Sequence, residues 1–168
     1  TNNSSTNAGG GIHTYDAVLS LFNTDLISNS TQSLGAGLEM QSTSAFISNC
    51  TFSQNSSQTG GGIGTRSQSN TQINNCLFIN NSSTHFGAGF YSHGSVDVIK
   101  NCTFSGNSTD GADNDMQDGE VIYLSDNTNT IINSIIYGNN NSNWSDIGLH
   151  SNGGGATVSY SLIQGGYS

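Results

Sequence analysis

A chain of 168 residues with a formal charge of −9 and only two basic side chains, Arg66 and Lys100, holds no patch able to neutralise phosphates, which excludes nucleic acid and anionic membrane surfaces as partners. No run approaches the roughly 18 apolar residues of a spanning helix, so no membrane span is expected. An apolar content of 32% would suit disorder, but charged residues reach only 8% and the apolar ones fall in fixed columns. The chain starts at Thr1 with no initiator Met and no recognisable signal peptide, as a processed or partial chain would. Its lack of Pro and near lack of Lys suit a secreted or cell-surface protein.

Residues 1–6 read as a polar lead-in and residues 7–168 as coils of a single domain. The stretch Asn23-Thr24-Asp25-Leu26-Ile27-Ser28-Asn29 returns as Asn49-Cys50-Thr51-Phe52-Ser53-Gln54-Asn55, then from Asn75 to Asn81 and from Asn101 to Asn107, each 26 residues on. One pattern per period in the twenties marks a solenoid, in which a coil buries its apolar face only against its neighbours. Asn133 to Asn139 and Ser159 to Gly165 stand in the same frame. The expected fold is all-β, a single-stranded parallel β-helix of about six coils.

Two residues before the first Asn stand Leu21, Ile47, Ile73, Ile99, Ile131 and Thr157; three after it stand Leu26, Phe52, Phe78, Phe104, Ile136 and Leu162. Both columns should face inward, with the next-residue column (Thr24, Cys50, Cys76, Cys102, Ser134, Tyr160) on the same side as the second. Asn23, Asn49, Asn75, Asn101 and Asn133 should turn the chain in the left-handed region and bond one another along the axis. The three cysteines form one column of small buried residues. They lack the paired spacing of a zinc site, and a disulfide between stacked coils would leave one thiol over.

Before each motif lies a glycine cluster: Gly9-Gly10-Gly11, Gly35-Ala36-Gly37, Gly60-Gly61-Gly62 and Gly87-Ala88-Gly89. Small residues there allow a tight turn and close stacking. No helix follows them, which argues against a phosphate loop. From Asn101 to Asn133 the step lengthens to 32 residues, and the excess forms an acidic insertion over 110–118. Asp110, Asp113, Asp115, Asp118 and Glu120 around it read either as a calcium loop or as a solvated acidic loop. No other cofactor is expected.

The Gly-Gly-Gly-Ile and Phe-x-x-Asn repeats (Phe52 to Asn55, Phe78 to Asn81, Phe104 to Asn107) resemble the passenger repeats of chlamydial polymorphic outer-membrane proteins. The tail, Asn133 to Asn139, Ser145-Asp146-Ile147 and Val158 to Gly166, is similar to secreted bacterial right-handed parallel β-helix proteins that carry a C-terminal secretion and anchoring domain. The resemblance covers residues 7–168 and implies right-handed winding, export and an extracellular place. It implies no activity, because the fold hosts adhesins, lyases and glycosidases alike. Ser168 ends the chain where such proteins continue into an anchor, as in a fragment or a trimmed form.

Past each glycine cluster the strand alternates, and two outward columns follow. One holds His13, Glu39, Gly64, Tyr91, Tyr123 and Gly148; the other holds Tyr15, Gln41, Arg66, His93, Ser125 and His150. Aromatic and polar side chains gathered on one face suit sugar rings, so His13, Tyr15, Glu39, Arg66, Tyr91, His93, Tyr123 and His150 are the candidate carbohydrate-binding residues. Glu39 with Asp16 is the one carboxylate pair on this face that a glycosidase could use, and Arg66 the one base for a lyase. No catalysis is expected. Sequons such as Asn29-Ser-Thr, Asn107-Ser-Thr and Asn143-Trp-Ser follow from composition in a bacterial protein and would mark glycosylation in a eukaryotic one. The leading functional expectation is an extracellular structural rod, roughly 29 Å long at the strand spacing, that self-associates end to end. An adhesin or carbohydrate-binding stalk with a glycan or host-surface ligand is the alternative, and a polysaccharide lyase or glycosidase the third.

Overall fold

A computed structural model describes residues 1–110, 121–141, 146–150 and 155–164. Among these the chain forms four parallel sheets, each of six strands, and no helix. Each coil contributes one strand to each sheet in turn. The second coil, for example, runs through Ser30–Thr31, Leu38–Gln41, Ser44–Ser48 and Thr51–Ser53. The strands are short because corners follow every few residues, and every strand pairs with the same segment one coil away. The expected β-solenoid is therefore the observed fold.

The corners are set by local chemistry. Asn23, Asn49, Asn75, Asn101 and Asn133 all carry φ between 48° and 56°, a region that Asn tolerates and branched residues do not. Side chains of this column bond in part along the axis: Asn75 Nδ2 donates to Asn49 Oδ1 at 2.6 Å, and Asn133 Nδ2 to Asn101 Oδ1 at 2.7 Å. Asn101 Nδ2 instead donates to Asn74 Oδ1. The glycine clusters turn at Gly60 (φ 66°) and its counterparts, and a Cβ on Gly61 would press into the carbonyl oxygens of Ser82 and Ala88 in the next coil.

The stronger Asn ladder is a second one, made by the last residue of each motif. Asn29, Asn55, Asn81 and Asn107 are wholly buried. The Oδ1 of Asn81 accepts from both the backbone N and Nδ2 of Asn55, while its own Nδ2 donates to Asn107 Oδ1 and to Phe52 O, all within 3.1 Å. Every polar atom of the amide is thus satisfied in the interior, where an unpaired one would cost about 1–3 kcal/mol. Beside it Phe52, Phe78 and Phe104 stack face on face, with centroids 5.0 and 4.3 Å apart. The column Ile47, Ile73, Ile99 and Ile131 completes the core, and Cys50, Cys76 and Cys102 are buried free thiols.

The last coil departs from the expected frame by one residue. Val158 pairs with Ile131 and Ile163 with Ile136, so Val158 and Ile163, not Thr157 and Leu162, take the inward places. Tyr160 is the corner residue (φ 51°) and is 90% exposed, leaving Ser161 in the column assigned to it. With no Asn at this corner to set the phase, the step from Asn133 lengthened unseen.

Candidate functional site

On the outer face of the second sheet the strands Ile12–Tyr15, Leu38–Gln41, Ile63–Arg66, Phe90–His93, Ile122–Ser125 and Ile147–His150 lie in register. This aligns His13, Glu39, Gly64, Tyr91, Tyr123 and Gly148 in one column and Tyr15, Gln41, Arg66, His93, Ser125 and His150 in the next, as alternation predicts. Tyr15 stands exposed in the first coil, two coils from Arg66.

Glu39 corrects the expectation of an open carboxylate. It is fully buried although it sits on the outer side. Leu34, from the segment that precedes the second glycine cluster, folds over the sheet and fills the place of the side chain that Gly64 lacks: a Cβ there would lie 2.5 Å from Leu34 Cδ1. Gly35, next in the chain, packs on Glu39 itself, since a Cβ there would lie 2.8 Å from Glu39 Cα and Cβ, and Glu39 Oε2 meets His13 Nδ1 at 2.6 Å while Oε1 meets Arg66 Nη2 at 2.7 Å. The arginine contact answers charge with charge but lies off the hydrogen-bond axis, so Glu39 Oε1 and Arg66 Nε have no hydrogen-bond partner. A buried carboxylate is costly without such partners. Its effect here is to hold His13 and Arg66 in fixed positions from below. Asp16 lies past the strand end, where its backbone N bonds Gln41 O. With Glu39 closed off, the two do not make the open pair that glycoside hydrolysis requires.

Further along, Tyr91 stacks on Tyr123 with centroids 5.0 Å apart, and Phe86 tilts against Tyr123 at 4.8 Å. Burial, with Tyr123 and Asp126 adding to it, pushes the Tyr91 hydroxyl up to about 12, so it remains a proton donor at neutral pH. His93 is gripped through Nδ1 by Asp126 Oδ2 at 3.1 Å and Ser125 Oγ at 3.0 Å, and Ser125 Oγ in turn donates to Asp126. A nucleophilic triad places acid and hydroxyl on opposite ring nitrogens. Here both share one, so the trio orients the imidazole and does not activate Ser125.

These residues border a cleft of about 250 Å³ lined by Ser33, Leu34, Gln58, Thr59, Arg66, Tyr91 and His93. No carboxylate lines it. Leu34 and Gln58 were not legible as site residues, because both belong to turns and neighbouring strands rather than to the alternating columns. The strongest missed group lies inside. Asp97 is buried and accepts from Ser92 Oγ at 2.6 Å and Thr65 Oγ1 at 2.9 Å. Desolvation by burial raises its pKa, against the lowering effect of these hydroxyls. The alternation Val96-Asp97-Val98-Ile99 put it on the same side as Ile99, which is the signal that would have found it.

Of the calcium candidates Asp110 is exposed, while Asp113, Asp115, Asp118 and Glu120 lie outside the described residues, as does Asn143. No metal-type cluster occurs among the described residues. The sequon asparagines Asn29, Asn55, Asn81 and Asn107 are those of the buried ladder, with Nδ2 engaged, so the folded coil has no room for a glycan at them.

Comparison with curated proteins and with solved structures finds no match. A family described as "Right handed beta helix region" matches residues 1–167. Repeat, parallel sheets and family match agree over the length of the chain, which belongs to the right-handed β-helix family.

Proposed function

We propose that the protein is a non-catalytic, extracellular β-solenoid that displays the outer face of its second sheet for carbohydrate binding. The observation that carries this reading is the cleft beside Tyr91, where Arg66 and His93 are each held in place by a carboxylate, Glu39 and Asp126, that does not line the cleft itself. Side chains fixed in advance lose little freedom on binding. An aromatic ring bordered by hydrogen-bond donors offers a sugar an apolar face and partners for its hydroxyls. At about 250 Å³ the cleft suits a single ring rather than a long chain. Shielding of Glu39 supports binding over hydrolysis. Secretion fits the polar, lysine-poor composition and the resemblance to exported repeat proteins. The test is a glycan array probed with the full chain and with Tyr91→Ala. Saturable binding to a defined glycan, lost in the variant, is expected; binding that survives the change, or none to any glycan, would overturn the reading.

End-to-end assembly is the second reading. Leu19 and Leu21 in the first coil, and Val158 and Ile163 in the last, are only half-buried, whereas Ile47, Ile73, Ile99 and Ile131 are at most 1% exposed. A further coil stacked on either end, of this or another copy, would bury them. Electron microscopy at rising concentration would show filaments on this reading and discrete rods against it.

A further inference from the structure

The residue ahead of each glycine cluster forms a further column, Ala8, Leu34, Thr59 and Phe86, set in register by backbone pairing. Two of its members lean onto the outward residue of the following coil. Leu34 fills the space above Gly64, and the Phe86 ring tilts against Tyr123 with centroids 4.8 Å apart. The same one-coil offset sets Thr59 beside Tyr91, and both line the cleft. Threonine is too short to cover a tyrosine ring as Phe86 covers Tyr123. Tyr123 stacks on one face of Tyr91, while the other face looks toward the coil of Gly64, which brings no side chain of its own. The cleft thus occupies the place of one missing apolar side chain, closed along the solenoid axis by Leu34 before it and by Phe86 on Tyr123 after it. The spacing is irregular at the same point. Glycine clusters begin 26 residues apart from Gly9 to Gly35, then 25 to Gly60 and 27 to Gly87, and the strand Ser82–Phe86 shifts register after Ser83. Departures from a fold's own local rule concentrate at functional positions.

We propose that Thr59 is the specificity-determining residue of this cleft: its small side chain opens the site, and the walls left standing admit the terminal residue of a glycan chain, inserted end-on, and not an internal stretch lying along the solenoid. The proposal rests on the carbohydrate-binding reading above and adds which part of a glycan is taken. A terminal ring has one glycosidic neighbour, which can leave toward solvent. An internal ring has two, and a second neighbour running along the axis meets Leu34 or Phe86. Exclusion by side chains already packed in place discriminates without any added contact to the correct ligand. The apolar edge of the terminal ring takes the position over Thr59 that Leu34 and Phe86 hold in the neighbouring coils, while its hydroxyls meet Gln58, Arg66 and His93.

The test uses the full chain on a glycan array in which every oligosaccharide is present twice, as itself and extended at its non-reducing end by one different sugar. The best-bound glycan should lose at least about tenfold in affinity on extension. Thr59→Leu restores the cover over Tyr91 and should lose binding by at least the same factor while melting no lower than the wild type, because it buries more apolar surface. Thr59→Val keeps the shape and removes only the hydroxyl, so it should bind as the wild type does. Equal binding of short and extended forms would overturn the chain-end assignment and leave carbohydrate binding standing; absence of binding to any glycan would overturn both. Undisturbed binding in folded Thr59→Leu would refute the role of Thr59, and so would loss of binding in Thr59→Val, which would make the hydroxyl and not the size decisive. Should Thr59→Leu fail to fold, the paired glycans and Thr59→Val still decide.

Discussion

Inside the solenoid each coil sets the same group in the same place: Phe78 stacks between Phe52 and Phe104, and Asn81 bonds both Asn55 and Asn107. On the outer face of the second sheet the column through Glu39 runs His13, Glu39, Gly64, Tyr91, Tyr123 and Gly148, with no residue type kept beyond two coils. A ladder contact exists only when the neighbouring coil carries a matching group, so interior positions constrain one another. The outer positions carry no such demand, and there the repeat gives way to buttressed charges and a cleft. Stability therefore belongs to the repeated positions, and the proposed recognition to the irregular ones.

The largest effects should come from breaking the repeat. Phe78→Ala removes the middle ring of the stack and should cost about 3–5 kcal/mol, and Asn81→Ala, which strands two donors of Asn55 and the carbonyl of Phe52, about 3 kcal/mol or more; denaturant unfolding measures both. Gly64→Ala drives a methyl into Leu34 and should cost about 1–3 kcal/mol while weakening ligand binding, because the same side chain walls the cleft. Asp97→Asn should stabilise. Because the folded pKa is raised, the native state keeps the proton to a higher pH than the unfolded chain does; the contribution of Asp97 is fully present below its unfolded pKa and is lost as pH rises through the folded value. The melting advantage of Asp97→Asn over wild type should accordingly grow from pH 4 to pH 7, and a constant gap would refute the assignment. The smallest effect separates the two Asn columns. Asn75→Gly, at a corner with φ 54°, should change stability by only a few tenths of a kcal/mol, since glycine adopts that angle freely, while Asn81→Gly should lose as much as Asn81→Ala.

The repeat length, the left-handed corners, the inward Ile and Phe columns and the register of both outer columns were all legible, because each depends on spacing and alternation alone. What lay beyond reading had a different origin. Alternation says which side a residue faces, not what covers it, so Glu39 on an outer position reads as exposed although Gly35 packs on it and His13 and Arg66 close on its carboxylate. The corner asparagines drew the eye as the ladder because they begin the motif, yet the fully buried ladder is made by Asn29, Asn55, Asn81 and Asn107 at its end. The last coil slipped by one residue where Tyr160 took the corner in place of Asn.

The division between scaffold and face is tested most directly by measuring glycan binding and thermal unfolding together on His93→Ala. The side chain of His93 borders the cleft and belongs to no interior ladder. Binding should weaken at least about tenfold, equivalent to 1.4 kcal/mol, while the melting temperature falls by only a few degrees, because the Asp126 left behind is partly exposed and keeps the bond from Ser125 Oγ. Unchanged affinity for a glycan that the wild type binds would contradict the account, and so would a collapse of the fold as deep as that of Asn81→Ala.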